Sequence, residues 1–149
     1  MDNENLFLLH GRVHQVAAAR ECLDTGAQFP PETDVHSVAE VLVQFLLTLT
    51  EPVVPVAQYS VCLDSTSPQV SQLIAENFPA VHRTTFKYLI AFLRERLTRT
   101  NVNAASAASL AVVFGRALMR PPRELLQVGR RAQAAQMRRQ ATFVLHFIE

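Results

Sequence analysis

Apolar residues are most concentrated between His36 and Pro55, and this stretch sets the organisation predicted for the chain. Nearly every position from Val38 to Leu49 is apolar, and the run stops just before Pro52. A helix that is apolar on almost all sides is expected to be surrounded by other helices. At about a dozen residues it is shorter than the roughly 20 that a membrane span requires. The pattern therefore predicts the central helix of a helical bundle.

Six further segments show helical spacing of apolar residues between turn residues. No segment shows the strict alternation that predicts a β-strand, and the sequence has no internal repeat. We therefore predict an all-α fold, a bundle of roughly seven helices joined by short loops. The predicted helices other than the central one span residues 12–24, 56–64, 68–77, 79–98, 104–118 and 131–148.

Residues typical of helix ends support several of these boundaries. Gly26 is suited to the position just after a helix, where a left-handed backbone is common. Asp34 or Ser37 is suited to cap the central helix, because a short polar side chain accepts a hydrogen bond from a free N–H group of the first turn. For the same reason Ser67 is predicted to cap the helix of residues 68–77, and Asn103 the helix of residues 104–118.

The helix of residues 79–98 carries an apolar stripe that is interpreted as core rather than as a ligand surface. In the helix of residues 79–98 the stripe consists of Phe86, Leu89, Ile90, Leu93 and Leu97. In the last helix the apolar positions are Ala135, Met137, Phe143, Val144 and Phe147.

Composition indicates one domain over residues 1–149, because 49% hydrophobic residues are enough to form a core and no Gly/Ser-rich or Pro-rich linker divides the chain. The first residues lack the basic and apolar regions of a signal peptide. Cys22 and Cys62 fall in predicted helices without metal-ligand spacing. We interpret both as reduced core thiols of an intracellular protein.

The charged residues are distributed unevenly although the net charge is only +1. Residues 1–82 hold ten acidic residues against two arginines, a balance of −8, and residues 83–149 hold one lysine and eleven arginines against three glutamates, a balance of +9. A basic half suggests an anionic partner or membrane surface, and the alternative is that the two halves neutralise each other across the fold. Nucleic acid is not favoured, because no stacking aromatics alternate with the arginines.

Motifs for catalysis are lacking. The sequence has no P-loop, dinucleotide-binding, zinc-peptidase or serine-hydrolase motif. His10 and His14 are four residues apart, but no third ligand lies near them in the sequence. We therefore predict neither a metal nor a cofactor.

Three blocks of sequence carry a family resemblance that spans nearly the whole chain. The central stretch ending in EPVVP, HRTTFKYLIAFLRERL over residues 82–97 and NAASAASLAVVFGRALMRPP over residues 103–122 resemble successive helices of a Rho GTPase-activating protein (RhoGAP) domain. Within that superfamily the chain most resembles the C-terminal GAP-like domain of the OCRL and type II inositol polyphosphate 5-phosphatases. CLDTG (residues 22–26), HSVAE (residues 36–40) and CLDS (residues 62–65) carry this closer similarity.

The resemblance identifies the segment of residues 5–11 with the loop that holds the catalytic arginine in active RhoGAP domains. The family pattern there is GxFRxSG, and this chain keeps only Phe7 and Gly11 of it. The arginine position falls on Leu8. Since leucine lacks the charge and donors of a guanidinium, the resemblance implies a GAP fold without its arginine finger.

Three more positions of the family's apparatus are changed. The lysine and arginine that the family commonly carries on its central helix fall on Val43 and Leu47, and a later asparagine falls on Ser109. If Val43 and Leu47 face a GTPase, they form an apolar contact patch where an active relative presents polar groups. The alternative is that Arg12, four residues after the arginine position, reaches the nucleotide; otherwise Arg12 is a solvated residue of the first helical turn.

We draw three functional hypotheses from these observations. The resemblance favours a catalytically inactive module that docks Rho-family GTPases of the Rac and Cdc type, or Phe/His-containing helical peptides of endocytic adaptors. Such a module directs a phosphoinositide 5-phosphatase to endosomal, Golgi or coated membranes from the cytoplasm. The alternatives are an active GTPase-activating domain and a module that contacts anionic lipid through its basic half.

The resemblance also concerns the start of the chain. RhoGAP domains usually have a helix before the arginine loop, and here only four residues precede the corresponding segment. We expect either a fragment of a longer protein or a bundle trimmed at its N-terminus. Phosphatase motifs are not found in these 149 residues, so phosphatase activity is expected elsewhere in such a polypeptide.

Overall fold

A computed structural model describes residues 6–99 and 104–149 of the chain. Within these ranges it contains helices and connecting loops but no β-strand, so the all-α prediction is confirmed. Short 3₁₀ turns at Val56–Gln58 and Arg123–Leu125 precede two of the helices. The α-helices are α1 (Val13–Thr25), α2 (Val35–Thr48), α3 (Tyr59–Leu63), α4 (Pro68–Glu76), α5 (Ala80–Arg99), α6 (Ala104–Leu118) and α7 (Arg130–Ile148).

The helix ends follow the predicted caps where they are described. Gly26 ends α1 in the left-handed conformation, with φ of 73°. Asp34, and not Ser37, caps α2, because its Oδ1 accepts a hydrogen bond of 3.2 Å from His36 N. Ser67 Oγ accepts one from the first turn of α4. The predicted cap Asn103 lies outside the described residues.

The main core lies between α5, α6 and α7 and is rich in phenylalanine. The predicted stripe of α5 is buried, apart from Leu97 at its end, which is half-buried. Phe86 from this stripe meets Phe147 edge-on, with ring centroids 5.0 Å apart. α6 approaches α7 closely at Gly115, where an added Cβ would lie 3.0 Å from Ala141 N. A side chain at this position would therefore push the two helices apart.

The prediction that α2 is enclosed on all sides is wrong. α2 packs mainly against α1 and α6, and Phe45, one turn after Val41 on the side toward α1, is nevertheless 55% exposed. Met137, one of the apolar positions named for the last helix, is 44% exposed on α7. Periodicity identifies the apolar positions of a helix, but it does not say whether a neighbour covers each of them.

Helix α1 belongs to a second, much smaller cluster. Val16 and Ala19 of α1 pack with Val41 of α2, apart from the main core. Val13 and Leu23 of α1 are exposed. The first helix is therefore held to the bundle by few apolar contacts.

Both cysteines are free. Cys62 is buried in the main core, and burial raises the pKa of its thiol to about 12. Cys22 is only half-buried, so its assignment to the core is wrong. Of the described helices, none is long and apolar enough to cross a bilayer.

Candidate functional site

The segment from Leu6 to His10, which precedes α1, is held in place by one buried side chain. The ring of Phe7 packs edge-on against Phe114 of α6, at a centroid distance of 5.0 Å, and against Phe92 of α5, at 6.0 Å. The φ angle of Phe7 is 72°, in the left-handed region that residues other than glycine seldom adopt. Such a conformation costs about 1–3 kcal/mol and persists only when packing holds it. The contacts of Phe7 therefore fix the shape of this loop.

The far end of the loop is fixed by polar contacts with α2. Gly11 N donates a hydrogen bond of 2.6 Å to Glu40 Oε2, and Arg12 N donates one of 3.1 Å to Ser37 Oγ. A Cβ atom at Gly11 would lie 2.4 Å from Ser37 Cα, a distance that real Cβ atoms essentially never show. Only glycine therefore lets the loop approach the first turn of α2 this closely.

Phe7 and Gly11, which maintain the loop, are the two residues that it shares with the family pattern. Leu8, which the resemblance places at the arginine position, is half-buried and packs against the main core. The next residue, Leu9, is 53% exposed. The loop therefore keeps its supporting residues, lacks the cationic group, and presents Leu9 to solvent. Sequence reasoning missed Leu9, because the turn at Phe7 decides which leucine points outward.

The two changed positions of α2 lie on the side that faces the loop. Val43 and Leu47 follow Glu40 by three and seven residues, which places all three on one face of the helix. Val43 and Leu47 are half-buried and pack against the main core. They are neither enclosed core residues nor a fully exposed patch, and the edges that remain accessible are apolar.

Ser109 lies on the outer face of α6. It is exposed, as are Val112 and Arg116, three and seven residues further along the same face. α6 also packs against α2 and holds the loop through Phe114. α6 therefore contacts both the loop and α2, and we call the loop, the side of α2 with Val43 and Leu47, and α6 together the loop–α2–α6 surface.

Arg12 stands at the edge of this surface as the N-cap residue of α1. Its side chain is exposed and has no hydrogen-bond or ion-pair partner among the described residues. Its backbone, by contrast, is tied to α2 through Ser37. Glu40, the other charged group beside the loop, accepts from Gly11 and lies 3.9 Å from the exposed His10.

No group of three metal-ligating side chains occurs within the described part of the chain. Among the described side chains of these types, Glu40 is the one that lies near His10. The loop–α2–α6 surface presents apolar side chains, with Arg12 and Arg116 as exposed cations.

Comparison with known proteins assigns this fold to a family. Residues 1–123 match the RhoGAP domain. The chain is 37% identical over 123 residues to a type II inositol 1,4,5-trisphosphate 5-phosphatase of Mus musculus, an alignment that covers 82% of the chain and 12% of the relative. It is 36% identical over 132 residues to Rho GTPase-activating protein 24 of Mus musculus, covering 81% of the chain and 18% of the relative. The chain thus corresponds to less than a fifth of each of these relatives.

Solved structures show the same fold. The crystal structure of human Rho GTPase activating protein 15 superposes with a TM-score of 0.79 at 20% identity, covering 99% of this chain and 72% of that one. The BH domain of GRAF, the GTPase regulator associated with focal adhesion kinase, gives 0.78 at 17% identity, covering 99% and 81%. Sequence match and fold agree: the chain belongs to the RhoGAP domain family, with close similarity to the type II inositol 5-phosphatase.

Proposed function

We propose that this RhoGAP domain binds Rho-family GTPases, of the Rac or Cdc type, through the loop–α2–α6 surface without accelerating GTP hydrolysis. Membership of the family supports the choice of partner. The single observation that carries the loss of catalysis is Leu8, a half-buried leucine at the position of the arginine finger.

The chemical argument concerns charge in the transition state. An arginine inserted in trans stabilises the charge on the transferred phosphoryl group and increases the rate about 10³- to 10⁵-fold. Leu8 has no donor and no charge, and its side chain packs against the main core. The half-buried Val43 and Leu47 likewise leave α2 without the cations that active relatives commonly present. The surface therefore retains the shape of a GTPase-binding face and lacks its electrostatics.

Arg12 does not replace the missing group in this arrangement. To bring its side chain to the nucleotide in place of Leu8, the loop would have to move relative to α2. Such a shift would break the hydrogen bonds of Gly11 N to Glu40 and of Arg12 N to Ser37. It would also displace Phe7 from its contacts with α5 and α6. The loop is thus held at both ends against the movement that catalysis by Arg12 requires.

Hydrolysis is tested in a single-turnover assay with GTP-loaded Rac- and Cdc-type GTPases and an active RhoGAP domain as positive control. We expect the rate with this chain to stay within about twofold of the intrinsic rate, against the about 10³-fold or greater acceleration of an arginine finger. Strong acceleration that disappears in Arg12→Ala would overturn the proposal and assign catalysis to Arg12.

Binding is tested separately with the same GTPases in their GTP- and GDP-loaded states. Leu9→Glu places a charge on the exposed loop residue, and we expect about tenfold or greater loss of affinity, as for a residue near the centre of an interface. The matched control is Leu73→Glu on α4, at a leucine of similar exposure (65%) that lies outside the loop–α2–α6 surface. Equal effects of the two variants, or no binding by the unmodified chain, would refute GTPase docking through this surface.

A second candidate function is to target a phosphoinositide 5-phosphatase, and similarity to the type II inositol 5-phosphatase favours it. In this proposal the domain also binds Phe/His-containing helical peptides of endocytic adaptors and acts at the cytoplasmic side of endosomal, Golgi or coated membranes. The test is fluorescence anisotropy with such a peptide beside a variant peptide in which alanine replaces phenylalanine. Equal binding of the two peptides, or binding of neither, would count against it.

A further inference from the structure

The last two helices and their connection form the most basic part of the molecule. Residues 104–148 contain seven arginines and a single acidic residue, Glu124, which lies in the turn between α6 and α7. Helix α7 itself contains no aspartate or glutamate from Arg130 to Ile148. Most acidic residues lie in the first 82 positions. The positive charge of residues 104–148 is therefore not balanced by acidic residues close to it in sequence.

Three arginines of α7 point away from the core. Arg131 and Arg138 are seven residues apart, and Arg130 precedes Arg138 by eight, so the three lie on adjoining parts of one helix face. They are exposed, whereas Gln140, Phe143 and Val144 form the buried face. With a rise of 1.5 Å per residue, the arginines span roughly 12 Å along the axis. We call Arg130, Arg131 and Arg138 the arginine face.

The rest of the protein does not neutralise the arginine face. Two ion pairs join the basic half to the acidic half within the described residues, Lys87–Glu76 at 2.7 Å and Arg139–Asp64 at 3.7 Å. Arg139 is thus the α7 arginine with an acidic partner there. Arg130, Arg131 and Arg138 have neither an ion pair nor a side-chain hydrogen bond in the described part of the chain. The idea that the two halves neutralise each other therefore does not extend to this face.

Exposed apolar side chains accompany these cations. Met137 is 44% exposed and lies seven residues from Arg130, on the same side of α7. Leu126, four residues before Arg130 in the connection to α7, is 54% exposed. A helix face that combines arginines with exposed apolar residues and lacks acids has the composition of a surface that lies against anionic lipid.

We propose that the arginine face binds the anionic lipid surface of a membrane. A lipid surface is favoured over an acidic protein because the face is the outer side of a single helix, which a planar array of headgroups can contact and apolar residues can enter. It is favoured over nucleic acid because the phenylalanines of α7 point into the core or its edge, so none is offered for stacking on bases. This face is formed by residues other than those of the loop–α2–α6 surface.

The test is co-sedimentation of the 149-residue chain with vesicles of phosphatidylcholine alone and of phosphatidylcholine mixed with phosphatidylserine. The test variant is Arg130→Gln/Arg131→Gln/Arg138→Gln. The control is Arg20→Gln/Arg94→Gln/Arg99→Gln, which removes the same charge from exposed arginines of α1 and α5. Thermal unfolding of all three proteins verifies that the substitutions leave the fold intact.

We expect the unmodified chain to bind only the vesicles that contain phosphatidylserine. Each arginine near an anionic surface contributes about fivefold in affinity, so the test variant should lose on the order of 100-fold. The control should lose only a few-fold, since its arginines do not meet the membrane. Binding should also weaken steeply with salt, because the screening length falls from about 10 Å at 0.1 M to about 3 Å at 1 M.

Three outcomes would overturn the proposal. The first is vesicle binding that does not depend on lipid charge, or no vesicle binding. The second is an equal loss of vesicle affinity in the test and control variants. The third is binding of soluble polyglutamate without binding of vesicles, which would indicate an acidic protein partner. GTPase affinity measured on the same variants keeps the two proposals separate: the test variant should bind a GTPase as the unmodified chain does. Failure of GTPase binding leaves the vesicle result unaffected.

Discussion

The interior between α5, α6 and α7 and the contact between α1 and α2 are held together by different forces. The first is a continuous apolar core in which phenylalanine rings meet edge-on. The second has only Val16, Ala19 and Val41 as buried apolar residues. Hydrogen bonds supplement it, such as the one of 2.8 Å from Asp34 N to Gln15 Oε1.

The loop of residues 6–11 connects these two regions, and the difference between them shows how it is held. Its first part is anchored in the main core by Phe7, and its last part by the hydrogen bond of Gly11 to Glu40. The first part of the loop should therefore be released only when the main core opens, and the last part when the α1–α2 contact opens. A disturbance of α1 should loosen the second anchor and leave the first in place.

The largest effect is expected from Phe114→Ala, which removes a fully buried ring and the partner of Phe7. Loss of a buried phenylalanine costs about 3–5 kcal/mol. Urea unfolding should show this loss for the whole domain. Phe45→Ala, at an exposed phenylalanine of α2, serves as control and should change stability by no more than about 0.5 kcal/mol. Equal losses would mean that α2 is as well enclosed as the main core.

A smaller effect is expected from Gly11→Ala. The added methyl group would overlap Ser37 and break the hydrogen bonds that Gly11 N and Arg12 N donate to α2. We expect a loss of about 1–3 kcal/mol, with faster hydrogen exchange in the loop and α1. Gly129→Ala is the matched control, because Gly129 has a φ of −62° and nothing within 4 Å of an added Cβ. If the two variants are equally stable, the close approach of Gly11 to α2 is not required.

Val16→Ala tests whether α1 opens independently of the main core. The two lost methyl groups correspond to about 1.5 kcal/mol, which should raise the labelling rate of Cys22 by roughly tenfold. Cys62 is the internal reference: it is buried, and with a pKa of about 12 it stays protonated at pH 8, so it should react only on global unfolding. Val13→Ala, at an exposed position of α1, is the control.

An equal rise in the labelling of both cysteines would contradict this prediction. It would show that α1 separates from the bundle only when the whole domain unfolds, and that the two packed regions form one cooperative unit.

The smallest effect concerns an ion pair outside both regions. The hydrogen bond from Lys87 and then its charge lower the pKa of the Glu76 carboxyl from the ordinary 4.5. Since the folded state holds the proton less tightly, the pair stabilises the fold above the unfolded pKa, and this contribution is lost as pH falls through the lowered pKa. Stability of the unmodified chain should fall slightly more than that of Glu76→Gln below pH 4.5. Identical pH profiles would show that the exposed pair contributes nothing measurable.

Sequence patterns predicted the helices well because their boundaries depend on local chemistry. Gly26 ends α1, and Ser67 before a proline begins α4, through interactions that a few neighbouring residues determine. The exposure of Phe45 and Met137 was not predictable in this way. It depends on which helices cover each face, and that is a property of the assembled bundle.

What the sequence indicates about the loop is incomplete for the same reason. Phe7 and Gly11 match the family pattern. That match does not show that Phe7 packs against Phe114 or that Gly11 N donates to Glu40, because these partners are distant in sequence. The positions predicted to face a GTPase were taken from the family pattern, and that pattern does not say how deeply each side chain is buried. Leu8 points toward the core because the backbone turns at Phe7. The sequence does not predict this turn, since a phenylalanine seldom adopts a positive φ.

The contact between Phe7 and Phe114 also has a consequence for the order in which the domain is made. The loop residues are synthesised before α6, yet the ring that holds them belongs to α6. Contacts between residues so far apart in sequence form late, because most of the chain must be ordered before they are gained. The loop should therefore take its shape only after α6 has packed into the bundle.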